Sequence, residues 1–475
     1  MSTGPSRRDL FRTSAAGAAL GLAAAPARSA ESNIYTRMGV RPFIEPHRHL
    51  HDQRRHADSS RAQFLGVECG IVTAGRAAAL AYATAACLTG GDPEKMQQLP
   101  RLDGLKNEVI MPRQSRNVYD HAIRSTGVRM IEIDSPEEFR AALGERTAMV
   151  AVLGTGEAQG KIRLEEIAQL AHAKGVPVLV DAAAELPARP NPYISRGADL
   201  VAYSGGKILR GPQCARLLLG RKNLVRAAWV NSAAHHAFGR AMKVGKEEIW
   251  GMLAAIDSWM NRRNIQAEYR TWESWLNHIG EQITRVPGVR TKLQPPAGAS
   301  PFPVLDVAWD PEKIAITAGE EGRLLLSGEP RIMSHAEGEG YSFVIRPVTM
   351  KPEHYKMVAQ RLYDVFRDAP KPGAVSSTAP PASVEGVDFV DGSSRHKLVL
   401  KADGTRVKGT HYGRSQEGAL LGTVDGSRVR LTSSLPFEGV HLSYTFTGTV
   451  SGDRMSGDVD LGEYGRAQWK ARKAG

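Results

Sequence analysis

Cysteine is scarce. Cys69, Cys87 and Cys214 are the three in 475 residues. They are odd in number, far apart and set among apolar or small neighbours. That excludes a disulfide framework and a Cys-x-x-Cys metal site, and makes buried, inert thiols the expectation. No apolar run reaches the ~18–20 residues that cross a bilayer, so no membrane span is expected in the mature chain. Acidic residues are in the minority, 50 against 62 Lys+Arg, for a net charge of +12. The excess is spread along the chain and forms no basic block, so nucleic acid is not an expected partner. No histidine–carboxylate spacing defines a metal centre either. His47, His49 and His51 alternate, with His56 nearby, and read as a polar surface segment.

What remains is an ordinary globular composition, 42% apolar and 24% charged, in a length that suits two or three domains. The first thirty residues read as an address. Ser6-Arg7-Arg8-Asp9-Leu10-Phe11-Arg12 resembles a twin-arginine export motif. The mild apolar run Ala15–Ala25 and the small-residue site Ala25-Pro26-Ala27 follow it. A signal over 1–30 predicts a periplasmic or extracellular protein, exported already folded.

Residues 31–290 carry short apolar runs, at 148–153, 176–180 and 199–203, alternating with amphipathic stretches such as Leu164–Ala173. This βαβ rhythm predicts a large α/β domain with a mostly parallel sheet. Glu247–Met260 has helical spacing and is expected to lead into a long helix running past Trp272. Residues 291–368 read as a small α+β domain, with strands at 304–309, 323–326 and 342–345 and a helix over 353–366. A Pro/Ala/Ser-rich linker over 369–386 follows. Residues 387–475 change character. Turn signals at Asp403-Gly404, Asp425-Gly426 and Ser451-Gly452-Asp453 separate alternating strands, which predicts an antiparallel β-barrel. Barrels of this size either fill their interiors or hold one small ligand.

Chemistry concentrates in the large domain. Val176-Pro-Val-Leu-Val-Asp181 is a buried strand ending in a carboxylate, and ligands of α/β sheets sit at carboxyl strand ends. A second strand ends in Ser204-Gly205-Gly206-Lys207. The glycines permit close backbone approach, and the lysine could form an imine with an aldehyde if its neighbours lower its pKa. Thr73-Ala74-Gly75-Arg76 opens an alanine-rich helix, whose first N–H groups suit a phosphate. The three pieces together point to pyridoxal phosphate (PLP) on Lys207 as a Schiff base, with Asp181 beside the ring nitrogen.

These residues carry a resemblance. The relevant segments are Met38-Gly-Val-Arg-Pro, Thr73-Ala-Gly-Arg-Ala-Ala-Ala, Thr89-Gly-Gly-Asp-Pro-Glu-Lys, Lys106-Asn-Glu-Val-Ile, Arg116-Asn-Val-Tyr-Asp-His121, the Asp181 strand, the Lys207 loop and Lys243-Val-Gly-Lys-Glu-Glu. The chain resembles the selenocysteine synthase (seryl-tRNA selenium transferase) and D-glucosaminate-6-phosphate ammonia-lyase group of PLP enzymes with the class V aminotransferase fold. The resemblance implies fold type I, with a large domain of mostly parallel sheet, a small α+β domain and a homodimer or higher oligomer. It implies PLP held by Lys207, Asp181, Thr73, Gly75, Arg76, Ser204 and Ser115, with Arg116 and His121 as substrate-side candidates; Arg346, placed after a small-domain strand, could clamp a substrate carboxylate. The implied reaction runs through an external aldimine of an amino acid or amino sugar acid, as β-elimination or deamination. Selenium transfer onto seryl-tRNA and a non-catalytic exported binding protein are the alternatives.

Two segments depart from the pattern. Gln114-Ser115-Arg116-Asn117 stands where relatives carry Gly-His-Arg-Asn, so the histidine that stacks on the ring is missing. Glu45-Pro-His-Arg-His-Leu-His replaces a Gly/Thr-rich stretch that reaches the active site in relatives.

Overall fold

In the computed structural model the described residues are 66–370, 387–390 and 395–473, apart from 234, 298, 299, 335 and 337–339. The export signal, the Met38 and Glu45 segments, the alternating histidines and nearly all of the linker lie outside them.

Seven strands form the main sheet: β1 (Cys69–Ala74), β2 (Glu108–Pro112), β3 (Arg129–Ile133), β4 (Thr147–Leu153), β5 (Val178–Asp181), β6 (Leu200–Ser204) and β7 (Ala215–Gly220). Their order is β1-β7-β6-β5-β4-β2-β3. Neighbours from β3 to β6 pair in parallel, while β7 runs antiparallel to both β6 and β1. The carboxyl ends of β1, β5 and β6 and the start of β7 therefore share one edge. Strands β2, β5, β6 and β7 are buried throughout, which is why they read as largely apolar runs, broken at Glu108 and Arg216, rather than alternating ones. Helix α1 (Gly75–Thr89) lies on one face with nearly every alanine buried. Its small side chains let the helix backbone come close to the sheet. Helix α2 (Leu164–His172) covers the other face through Leu164, Ile167, Ala168 and Ala171, the stripe its sequence predicts.

Beyond the sheet, the expected long helix is two helices, α3 (Lys246–Asn261) and α4 (Ile265–Ile283). The break falls at Arg262-Arg263-Asn264. The Asn264 side chain accepts from the Ala267 N–H, a cap worth ~1 kcal/mol that favours a fresh start over continuation. Helix α4 packs on a three-stranded antiparallel sheet in the order β10-β9-β8, made of β8 (Val289–Gln294), β9 (Val304–Trp309) and β10 (Ser342–Ile345). Residues 323–326, expected as a strand, belong instead to helix α5 (Ala318–Ser327). Thr317 and Glu320 form a reciprocal capping box that starts this helix, and that local signal overrides the apolar Leu-Leu-Leu run. Helix α6 (His354–Arg367) completes the layer around Trp309 and Phe366.

The C-terminal strands, β11 (Val387–Val390), β12 (Arg395–Asp403), β13 (Arg406–Tyr412), β14 (Glu417–Asp425), β15 (Arg428–Phe437), β16 (Val440–Ser451), β17 (Arg454–Asp460) and β18 (Arg466–Lys473), close into an antiparallel barrel, with β11 pairing β18. Leu398, Leu420, Leu431, Phe446, Val459 and Trp469 fill its interior. A polar relay crosses it: His396 Nδ1 lies 2.8 Å from His411 Nε2, and His411 Nδ1 lies 2.6 Å from Ser433 Oγ.

Candidate active site

The shared strand edge gathers the chemistry. Register pairs Thr73 on β1 with Arg216 on β7, and Arg216 in turn with Ser204 on β6. Asp181 ends β5 opposite Ala202. Lys207 lies three residues beyond the end of β6. Thr73, Ser204, Asp181 and Arg216 are all buried, whereas Lys207 remains open to solvent in a single protomer.

The Lys207 loop is held against the protein itself. Gly205 N–H donates to Ala215 O and Gly211 N–H to Gly205 O. A Cβ on Gly205 would meet Ala215 O at 2.6 Å, and one on Gly206 would meet Gln213 Cα at 2.5 Å. The two glycines are thus required by contact with the start of β7, and so fix where the lysine emerges. The lysine's pKa is lowered, first by partial burial of its amine and then by Arg216 and Arg76, against the opposing pull of Asp181. A lowered lysine pKa is what imine formation at neutral pH requires.

Asp181 is fully engaged. Its Oδ1 accepts from Ala183 N–H at 3.2 Å, and its Oδ2 accepts from Arg76 Nε at 2.5 Å, with Arg76 Nη2 as a second partner. Arg76 was expected at the helix start as part of a phosphate cradle. Instead its side chain reaches across to β5, and its guanidinium centre lies 4.1 Å over the Tyr119 ring. Gly75 at the helix start has φ +79°, which glycine alone adopts without strain. Thr73 Oγ donates to Gly75 O.

Arg216 and Tyr119 were not singled out from sequence. Arg216 is 8% exposed, and its Nε and Nη1 have no hydrogen-bond partner among the described residues. Burial pushes its pKa down to about 10. A buried, unpaired guanidinium costs several kcal/mol, so it marks a place where an anion is welcome. The available signal was an arginine inside the run Ala215-Arg-Leu-Leu-Leu, which no core strand tolerates without a reason. Tyr119 presents an aromatic face toward the site where the missing histidine would have been sought at Ser115. Ser115 itself is buried and accepts from Leu153 N–H at 3.1 Å.

The substrate-side candidates are not brought together. Arg116 is held by Asp120 at 2.5 Å, Glu132 at 2.6 Å and Glu438 at 2.9 Å. His121 is exposed at the start of a short helical turn. Arg346 follows β10 in the small domain and is exposed, its Nη1 3.5 Å from Val344 O. Among the described residues no His/Cys/Asp/Glu cluster could hold a metal, and no helix is long and apolar enough to cross a membrane.

Set beside known proteins, residues 120–237 match the aminotransferase class-V family. D-glucosaminate-6-phosphate ammonia lyase of Salmonella typhimurium is 26% identical over 65% of this chain and 84% of its own length. A Streptomyces protein, 5'-C-glycyluridine monooxygenase-decarboxylase, is 29% identical over 66% of this chain and 80% of its own. L-seryl-tRNA(Sec) selenium transferase of Proteus mirabilis is 33% identical, but over 26% of this chain and 28% of its own. The solved structure of D-glucosaminate-6-phosphate ammonia-lyase superposes with a TM-score of 0.58 at 25% identity, covering 69% of this chain and 88% of that one. The fold is that of PLP-dependent aminotransferases, with the barrel appended. Pyridoxal phosphate is its cofactor, and the chain is a PLP-dependent enzyme of the lyase or transferase kind.

The residues fit that cofactor in charge and chemistry. Arg76 and Arg216 outnumber the one carboxylate, Asp181, which leaves positive charge for a phosphate, and the Lys207 amine has the lowered pKa that imine formation needs. One feature stands across the fit: the carboxylate suited to a pyridinium nitrogen already holds Arg76.

Proposed function

We propose that the chain carries out β-elimination or deamination of an amino acid or amino sugar acid, with pyridoxal phosphate on Lys207. The observation that carries this reading is Lys207 itself, a lysine of lowered pKa fixed by Gly205 and Gly206 at the strand edge that also bears Asp181. Bound there, the cofactor supplies an electrophilic carbonyl and a sink for the negative charge that develops at the substrate Cα. Lys207 would anchor it and, as a free amine, would take the substrate Cα proton. Asp181 holds a proton on the ring nitrogen. Arg216, flanked by Thr73 and Ser204, neutralises the phosphate. The names of the Salmonella and Streptomyces relatives both describe lyase-type chemistry, which favours elimination over transfer.

Export through the twin-arginine route and assembly into a dimer or larger oligomer belong to the same proposal. The exposure of Lys207 in one protomer supports a second subunit that covers it. A second reading, an exported binding protein that keeps the fold without the reaction, draws support from Ser115, whose hydroxyl is spent on the Leu153 backbone. Selenium transfer draws on a shorter match and on no basic block.

The test is spectroscopic and then chemical. Purified mature protein with added PLP is expected to show a visible band that borohydride abolishes, leaving the label on the Lys207 peptide. Incubation with a panel of amino acids and phosphorylated amino sugar acids is expected to release ammonia and a keto acid, and Lys207→Ala to abolish label and release together. A protein that stays colourless with PLP would sink the enzyme reading. A coloured protein whose band no amine shifts would favour the binding reading.

A further inference from the structure

The surroundings of Arg76 describe a ring seat. A protonated pyridine ring is a flat cation that donates an edge N–H to a carboxylate and offers its face to an aromatic group. The Arg76 guanidinium is also a flat cation. It donates through Nε to Asp181 Oδ2, with Nη2 in ion-pair contact with the same oxygen, lies 4.1 Å over the Tyr119 ring and is 9% exposed. It is carried by α1, whose alanines are buried against the sheet, so the side chain is aimed from a rigid base.

We infer that Arg76 is a built-in occupant of the cofactor's ring seat, and that pyridoxal phosphate binds only by displacing its guanidinium from Asp181 and Tyr119. This rests on the reading of Lys207 and Asp181 as the cofactor site and deepens it by making occupancy conditional.

The energetics follow from the pairing. The Arg76–Asp181 pair is desolvated and hydrogen-bonded, and separating such a pair is unfavourable unless each charge finds a new partner. The ring nitrogen would be the new partner for Asp181, and the cofactor phosphate would be drawn to the positive charge of Arg216. Displacement is therefore an exchange of partners rather than a bare loss, but it subtracts from the affinity for PLP. An arginine placed to bind phosphate makes the opposite prediction, since its removal would weaken PLP binding.

Substitutions at Arg76 separate the two. Lysine keeps the positive charge but lacks the planar fork that pairs and stacks, and alanine removes both. PLP is titrated into the full-length wild type, Arg76→Lys and Arg76→Ala, reading the visible band and the mass of the borohydride-reduced Lys207 peptide. Circular dichroism confirms that each chain is folded. If Arg76 occupies the ring seat, both variants bind PLP at least tenfold more tightly than the wild type and label Lys207 faster.

Three outcomes overturn the inference. In one, Arg76→Ala binds more weakly while Arg76→Lys keeps wild-type affinity, which makes Arg76 a phosphate counter-ion and leaves the cofactor reading standing. In another, wild type and variants bind equally. In the third, none of the three chains takes up PLP or labels Lys207, and the cofactor reading falls as well.

Discussion

Arg116 of the large domain and Glu438 of the barrel meet at 2.9 Å. Glu438 is at the tip of the β15–β16 turn, with φ +46°, and its neighbour Gly439 has φ +78°. A Cβ on Gly439 would lie 2.9 Å from Asp120 Oδ2 and 3.0 Å from Asn117 N. The barrel tip thus rests on the segment that carries Ser115 and Tyr119, and Arg116 ties Asp120, Glu132 and Glu438 together.

Two substitutions at this contact should differ in size. Glu438 is 44% exposed, so its ion pair is worth little, and Glu438→Ala should cost at most ~1 kcal/mol. Gly439→Val adds both a strained backbone and a clash with Asn117, and should cost about 1–3 kcal/mol. Calorimetric unfolding of the full chain checks the order. Equal losses would show that the charge, not the close approach, seats the barrel.

Arg216 should trade stability for binding. Replacing a buried, unpaired cation by an apolar residue of similar length removes a desolvation penalty. Arg216→Met is expected to leave the unliganded chain as stable as the wild type or more so by ~1 kcal/mol or more. The same change should weaken PLP at least tenfold while sparing pyridoxal, which lacks the phosphate. Thermal melts and paired titrations with the two aldehydes give the answer; an equal loss for both aldehydes would remove the phosphate from Arg216.

Lys207 should react at lower pH than an ordinary lysine. The reactive form is the neutral amine, whose fraction rises with pH, and a lowered pKa moves that rise toward neutrality. The rate of imine formation with pyridoxal, followed against pH, is expected to reach half its maximum below 10.5, the ordinary lysine value. In Arg216→Met the midpoint should move up, because Arg216 is the larger of the two cationic contributions to the shift. A midpoint at the free-lysine value in the wild type would mean that the amine is fully hydrated.

The barrel should be acid-sensitive. Burial, and then His396, depress the His411 pKa to about 3. Between that value and the ordinary 6.5, the unfolded chain binds a proton that the folded chain refuses. The stability contributed by neutral His411 is therefore complete above about pH 6.5 and falls progressively as pH drops toward 3, by a few kcal/mol in all. Trp469, inside the barrel against Phe446, is the fluorescent reporter. Emission of a single-Trp469 variant during urea unfolding should show a midpoint that falls steadily across this window. A flat midpoint between pH 6.5 and 4 would place His411 in contact with water.

Much of the candidate site is legible in the sequence because polar residues at strand ends leave local marks. Asp181 closes an apolar run, and Lys207 follows Ser-Gly-Gly after another, so both could be read without coordinates. Arg216 was hidden inside an apolar strand, where its meaning depends on β7 running antiparallel between β1 and β6. Tyr119 was hidden because stacking on Arg76 joins residues distant in sequence. The α5 capping box, Thr317 to Glu320, and the Asn264 cap are local signals too, but each competes with a stronger apolar pattern beside it.

The sequence by itself determined the α/β alternation, the lysine and carboxylate of the site and the barrel's hairpins, since each rests on periodicity, turn chemistry or strand-end residues that act over a few positions. Tertiary structure alone decided which charges face one another. Arg76 could have pointed to a phosphate or to Asp181, and Arg116 to a substrate or to Glu438. Long, flexible cationic side chains take their partners from the packing of distant elements, and no local pattern records that choice.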